Sequence, residues 1–278
     1  MPEGDSVWKL ARRLDPALVG QRLTVGRLNV PRHATADLAG RVVLENATHG
    51  KHLLTRLSEG LTLHTHLRMD GSWTVTGPGK ALPRRLMPDV RVQLGTEAGH
   101  TAYGISLPVV DLVETAEEGA VVGHLGPDPL HDGFEVEVAA ARLRAEPEVR
   151  VVSALLDQRK VAGFGNLWAN ELCFLRGVSP WTPVGDVDAE ALVRLGARAL
   201  RRSATVQGAY QVTTGNTRRG ESHYVSGRNR RPCLRCGTTI RQVKELPNDP
   251  ANRVTWWCPL CQPGPGPEAR RPSLRLPH

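Results

Sequence analysis

At 278 residues and 40% hydrophobic content, the chain is long enough for two domains, or for one large domain with an appendage. No apolar run approaches the roughly 18 residues of a membrane span, and the first twenty residues lack the apolar segment of a secretory signal, so a cytoplasmic protein without a membrane partner is expected. The net charge of +8, carried chiefly by arginine, points to an anionic partner because guanidinium binds phosphate bidentately; composition alone leaves open a cation-coated soluble domain.

The chain begins with Pro2-Glu3, which in isolation reads as a short solvated lead-in. A helix is predicted over about 5–18, with Val7, Leu10, Ala11 and Leu14 as its apolar stripe. After it the pattern is β. HLLTRL (52–57) and LTLHTHL (61–67) form a hairpin through Ser58-Glu59-Gly60, with Leu61, Leu63 and Leu67 on one face and Thr62, His64 and His66 on the other. VRVQL (90–94) and AYGISL (102–107) continue the strands past a Pro/Gly-rich loop. No long helix separates these strands, which disfavours a parallel α/β architecture.

From about 131 the period becomes helical. Trp168, Leu172 and Leu175 fall on one face, and 186–203 carries acids in its first turn and arginines in its last, as the helix dipole prefers. Residues 204–232 are polar and Gly-punctuated, and the Pro-rich end at 263–278 reads as a disordered tail. Of five cysteines, Cys173 lies in a helical pattern as a small core residue. The other four form Cys233-x-x-Cys236 and Cys258-x-x-Cys261, flanking two strand-like stretches around PNDPAN. Closing that hairpin gathers four thiolates, the tetrahedral set for one structural Zn²⁺ with no open coordination position. Chemistry must therefore lie elsewhere.

PEG at the amino terminus, HGKHLL (49–54), GFGN (163–166) before a helix, and the zinc hairpin occur in an order that resembles the formamidopyrimidine-DNA glycosylase and endonuclease VIII family of base-excision-repair enzymes. The resemblance covers residues 2 to about 262. It implies an α+β multidomain fold: an N-terminal β-sandwich with a flanking helix (1–120), a helix–two-turns–helix DNA-binding domain (121–225), a zinc finger (226–262) and the tail (263–278). Damaged double-stranded DNA would lie between the lobes of a monomer, nucleoid-associated if bacterial.

The resemblance also gives the first dipeptide a chemical role. With the initiator Met removed, Pro2 presents a secondary amine that attacks C1′ of a damaged nucleoside, and the resulting iminium drives β- and then δ-elimination. An α-amino group has a pKa near 8, so on the order of a tenth is neutral at pH 7. Glu3 is the implied acid–base partner at the sugar ring oxygen. Lys51 matches a lysine that contacts phosphate and assists base loss, Asn166 a phosphate-binding asparagine, and Arg253 a finger arginine linked to δ-elimination. HLRMDGSW (66–73) resembles the intercalation loop, with Met69 filling the void left by an everted nucleotide.

Three features depart from the family pattern. Gly4-Asp5-Ser6 replaces a second Pro-Glu pair, the knuckle-to-knuckle hairpin is longer than usual, and Ala102-Tyr103-Gly104 stands where the purine-directed branch has Arg-Phe-Gly. Tyr103 thus takes the expected DNA-facing position, and the missing arginine favours the endonuclease VIII branch, which acts chiefly on oxidised pyrimidines. A purine-lesion glycosylase of the same family and a non-catalytic zinc-ribbon nucleic-acid-binding protein are the alternatives.

Overall fold

The computed structural model describes residues 2–244 and 253–267, which divide into a first unit ending at Asp132 and a second beginning at Gly133. Helix α1 (Gly4–Leu18) buries the expected stripe of Val7, Leu10, Ala11 and Leu14. Strands β1 (Leu23–Leu28), β2 (Val43–His49), β3 (His52–Leu57), β4 (Leu61–His66), β5 (Ser72–Thr76), β6 (Val90–Thr96), β7 (Thr101–Ile105) and β8 (Val109–Glu114) follow. They form two antiparallel sheets of four strands, ordered β1-β6-β7-β5 and β2-β3-β4-β8. The β3–β4 hairpin turns where expected, with Glu59 and Gly60 at φ 63° and 69°.

Leu28, Val92, Leu94 and Trp73 of one sheet share a core with Leu53, Leu57 and Leu63 of the other and with the α1 stripe. Each fully buried leucine contributes roughly 1.5–3 kcal/mol. A polar key fixes the helix on its sheet. Asn46 donates Nδ2 to Asp15 Oδ1 at 3.0 Å, its Oδ1 accepts the Thr55 hydroxyl at 2.7 Å, and its carbonyl accepts Arg12 Nη2 at 2.6 Å.

The opposite face of β2-β3-β4-β8 is polar yet largely covered, with Thr62 and His64 buried. Helix α2 (Gly119–Val122) and the segment running on to His131 belong to the first unit. Glu118 accepts Arg56 Nε and Nη2, both at 2.7 Å, and the Thr62 hydroxyl at 2.7 Å. The opposing charges fix the cover at this point and hold the Glu118 carboxyl below its usual range.

In the second unit, α3 (Val136–Arg144), α4 (Val151–Leu156), α5 (Asn166–Leu175) and α6 (Ala189–Thr205) precede the β9 (Arg241–Val243) and β10 (Thr255–Trp257) hairpin. Trp168 and Leu172 of α5 are buried as their spacing predicts, and burial pushes the Cys173 thiol up to about 12. Helix α6 starts later than the acids at 186 suggest, because the Asp188 side chain accepts the Ala191 amide at 3.0 Å and caps it. Gly196 lets α6 approach closely, since a Cβ there would sit 2.5 Å from Phe164 Cζ. The PNDPAN turn lies outside the described residues, as does the expected tail beyond 267. Residues 263–267 are placed, and the Pro265 carbonyl accepts the Ser179 hydroxyl at 2.6 Å. No helix among the described residues is long and apolar enough to cross a membrane.

Candidate active site

Pro2 is partly exposed and leads directly into α1, whose N-cap is Glu3. Glu3 is only 1% exposed. Its backbone amide donates to Ser6 Oγ at 3.2 Å, so the Gly4-Asp5-Ser6 departure still supplies a capping group at the helix start. A carboxylate here sits at the positive end of the helix dipole. Because α1 packs on β2 and β3, the position of this terminus is set by the same sheet that carries Lys51.

Lys51 occupies the tight turn between β2 and β3, closed by the His49–His52 pair. Gly50 takes φ +56° there, a left-handed conformation that glycine adopts without steric cost. Around the turn lies a group of histidines that sequence reasoning registered only as the polar side of one strand. Burial, and next the neighbouring imidazole of His66, lowers His52 to about 3. Burial, and next the charge of Lys51, lowers His66 to about 4. His52 Nδ1 meets His64 Nε2 at 2.8 Å, and His64 Nδ1 faces Asp111 Oδ2 at 3.5 Å. The available signal was the two-residue period that puts His52, His64 and His66 on one face of a paired hairpin.

Met69 is 64% exposed at the tip of a turn closed by the Gly71 amide donating to the Leu67 carbonyl at 2.9 Å. His66 Nδ1 accepts the Arg68 amide at 2.9 Å and shapes the same turn. Tyr103 is placed differently from the expectation. It lies within β7, is 7% exposed, and packs with Leu82, Leu86, Val90 and Ile105. The ring of Tyr103 is thus held in that cluster and not exposed at the surface.

In the second unit, Asn166 opens α5 and donates Nδ2 to the Val254 carbonyl at 2.8 Å. Asn170 continues the link, donating to the Asn166 carbonyl at 2.6 Å and accepting the Trp256 amide at 2.8 Å. The strand entry that contains partly buried Arg253 is thereby fastened to the first turn of α5. Asn170 and Glu171 were absent from the sequence reading. Fully buried Glu171 accepts the amides of Tyr224, Val225 and Ser226 at 2.8–2.9 Å and the Thr213 hydroxyl, joining both ends of the polar segment between them.

The Sγ atoms of Cys233, Cys236, Cys258 and Cys261 lie within 4.8 Å of one another. Cys233–Cys261 and Cys236–Cys258 are 3.9 and 3.4 Å apart, bracketing the roughly 3.8 Å edge that a 2.3 Å Zn–S bond gives a tetrahedron. The four thiolates fit one structural zinc ion.

Residues 1–104 match the family described as Formamidopyrimidine-DNA glycosylase N-terminal domain, 125–212 the Formamidopyrimidine-DNA glycosylase H2TH domain, and 231–264 the Zinc finger found in FPG and IleRS. The chain is 50% identical over 268 residues to a protein named Probable endonuclease 8 2 from Streptomyces coelicolor, covering 96% of each. It is 42% identical over 265 residues to the DNA-(apurinic or apyrimidinic site) lyase Nei2 of Mycolicibacterium smegmatis, covering 94% of this chain and 99% of that one. Identity to a formamidopyrimidine-DNA glycosylase of Symbiobacterium thermophilum is 33%, over 99% of this chain and 95% of that protein. In fold it is similar to Lactococcus lactis Fpg in complex with DNA containing N7-benzyl-Fapy-dG, with a TM-score of 0.74 and 22% identity over 95% of this chain and 100% of that one.

Proposed function

The chain belongs to the formamidopyrimidine-DNA glycosylase and endonuclease VIII family, on the endonuclease VIII side, and from that premise we propose that it excises oxidised pyrimidines from damaged duplex DNA through an iminium formed at Pro2. It is a DNA glycosylase and abasic-site lyase of base-excision repair. The observation that carries the proposed chemistry is the start of α1, where a partly exposed Pro2 is followed by a buried, helix-anchored Glu3.

With Met1 removed, the Pro2 nitrogen forms a bond to C1′ while the glycosidic pair departs with the base, and the proton given up by the amine is taken up by that base. Glu3 delivers a proton to the ring oxygen as the C1′–O bond breaks, leaving a C1′=N⁺ iminium. The cationic nitrogen accepts the pair from the C2′–H bond once that proton is lost, and the C3′–O bond breaks with the phosphate as leaving group. A second elimination across C4′ and C5′ releases the other phosphate. Lys51 acts on phosphate and on the departing base, Met69 fills the emptied stack, and Asn166 and Arg253 bind phosphates beside the lesion. The pyrimidine preference is supported by the higher identity to the proteins named endonuclease 8 and Nei2 than to one named formamidopyrimidine-DNA glycosylase.

Borohydride trapping on abasic-site DNA tests the mechanism. A covalent adduct at Pro2 is expected, and a form blocked by one extra residue before Pro2 should give neither adduct nor strand cleavage. Undiminished cleavage by the blocked form would refute the iminium route. A panel of oxidised pyrimidines and purines against each opposite base tests the preference.

A further inference from the structure

The turn that carries Lys51 is gripped from outside by residues 126–131. The Gly50 amide donates to Asp128 Oδ2 at 2.7 Å, inside the protein. Asp128 is 2% exposed, and its other oxygen accepts the Leu130 amide at 2.8 Å, so the carboxylate orders its own loop while holding the turn. His49 Nε2 meets the Gly126 carbonyl at 3.0 Å, and His131 Nε2 meets the Thr48 carbonyl at 2.6 Å. The two rings pack edge to face, with centroids 4.9 Å apart. Three successive residues of the turn, Thr48, His49 and Gly50, are therefore held by three separate contacts to one loop. A hairpin end with a left-handed glycine is otherwise a mobile place to mount a long, cationic side chain.

We propose that Asp128, seconded by His131, is a positioning residue for Lys51: it fixes the backbone from which the ammonium reaches the substrate without touching the substrate itself. This rests on the reading of Lys51 given above. Displacement of a reacting group by about 1 Å costs on the order of 100-fold in rate, so loosening this turn should slow chemistry while sparing binding.

The test is a double-mutant cycle on the full-length, zinc-loaded protein, read by single-turnover base release and by the affinity for abasic-site DNA. Asp128→Asn keeps the volume but points an amide donor at one of the two backbone N–H groups. It should lower base release by about 10- to 100-fold and change affinity by less than about two-fold. In a Lys51→Ala background the same substitution should have almost no further effect, because the group it positions is gone. His131→Ala, at a half-exposed site, removes the Thr48 contact and should give a smaller loss with the same dependence on Lys51, which keeps the cycle decisive if Asp128→Asn fails to fold. An equal loss in both backgrounds would show a general packing role and overturn the proposal, as would full activity of Asp128→Asn beside an impaired Lys51→Ala. Full activity of Lys51→Ala would instead overturn the reading of Lys51.

Discussion

Asn166 and Val254 are joined by a 2.8 Å hydrogen bond between a side-chain amide and a backbone carbonyl, which ties the first turn of α5 to the residue after Arg253. Removing it should therefore affect two proposed phosphate ligands. Asn166→Ala leaves a partly buried carbonyl without this donor and should cost about 0.5–1.5 kcal/mol of stability, besides weakening strand cleavage. Arg253→Ala should lower cleavage with little change in melting temperature. Thermal melts set beside cleavage assays separate the two; equal melting temperatures for both variants would contradict this picture.

Met69 should matter only where a stacked base must be displaced. Met69→Ala is expected to reduce excision of a lesion within duplex DNA by about ten-fold, while cleavage at a preformed abasic site in single-stranded DNA stays near the parental rate. Since the side chain is 64% exposed, stability should shift by no more than about 0.5 kcal/mol. Comparing the two substrates at saturating enzyme checks this.

Zinc removal should act locally. Structural Zn²⁺ supplies an apparent ~10–16 kcal/mol to a small ribbon, far more than the short β9–β10 pairing could replace. Chelation or Cys258→Ser should abolish the one bound zinc measured by elemental analysis, alter the emission of Trp256 and Trp257 nearby, and depress DNA cleavage at least about ten-fold. Cys173→Ala, inside α5, should retain the metal.

Acid should destabilise the first unit well above the usual carboxylate range. In the unfolded chain His52 and His66 take up protons near pH 6.5, whereas in the folded protein they do so only near 3 and 4. Between those values the unfolded state binds more protons, so stability rises with pH and is lost as pH falls below about 6.5, by up to about 1.4 kcal/mol per histidine per pH unit. Denaturant melts from pH 7 to 4 measure the slope, and His52→Gln should flatten it. A pH-independent midpoint over that range would argue against buried neutral rings.

Much of this was legible beforehand where one face is apolar and the period is clean. Val7, Leu10, Ala11 and Leu14 announced α1, and Leu61 and Leu63 announced β4. Strand β2 was harder because it turns Asn46 and Thr48 inward as hydrogen-bonding groups and carries a register shift between Val43 and Glu45. The knuckles of Cys233, Cys236, Cys258 and Cys261 were plain because metal geometry dictates spacing. Asp128 was not: an acid between two prolines looks solvated, and nothing local reveals that two backbone amides will enclose it. The burial of Tyr103 was not legible either, because a resemblance to a loop motif says nothing about the apolar neighbours, from Leu82 to Ile105, that draw its ring inward.

The seam between the two units, after Asp132, also governs how the protein can be taken apart. A chain severed at 120, the bound expected for the sandwich domain, would keep every strand of the sandwich yet lose the lining over its histidines and the acceptor for Gly50. Recombination between relatives, or release of the sandwich by a protease, would keep all three contacts on Thr48, His49 and Gly50 only if the exchanged piece runs through residue 131.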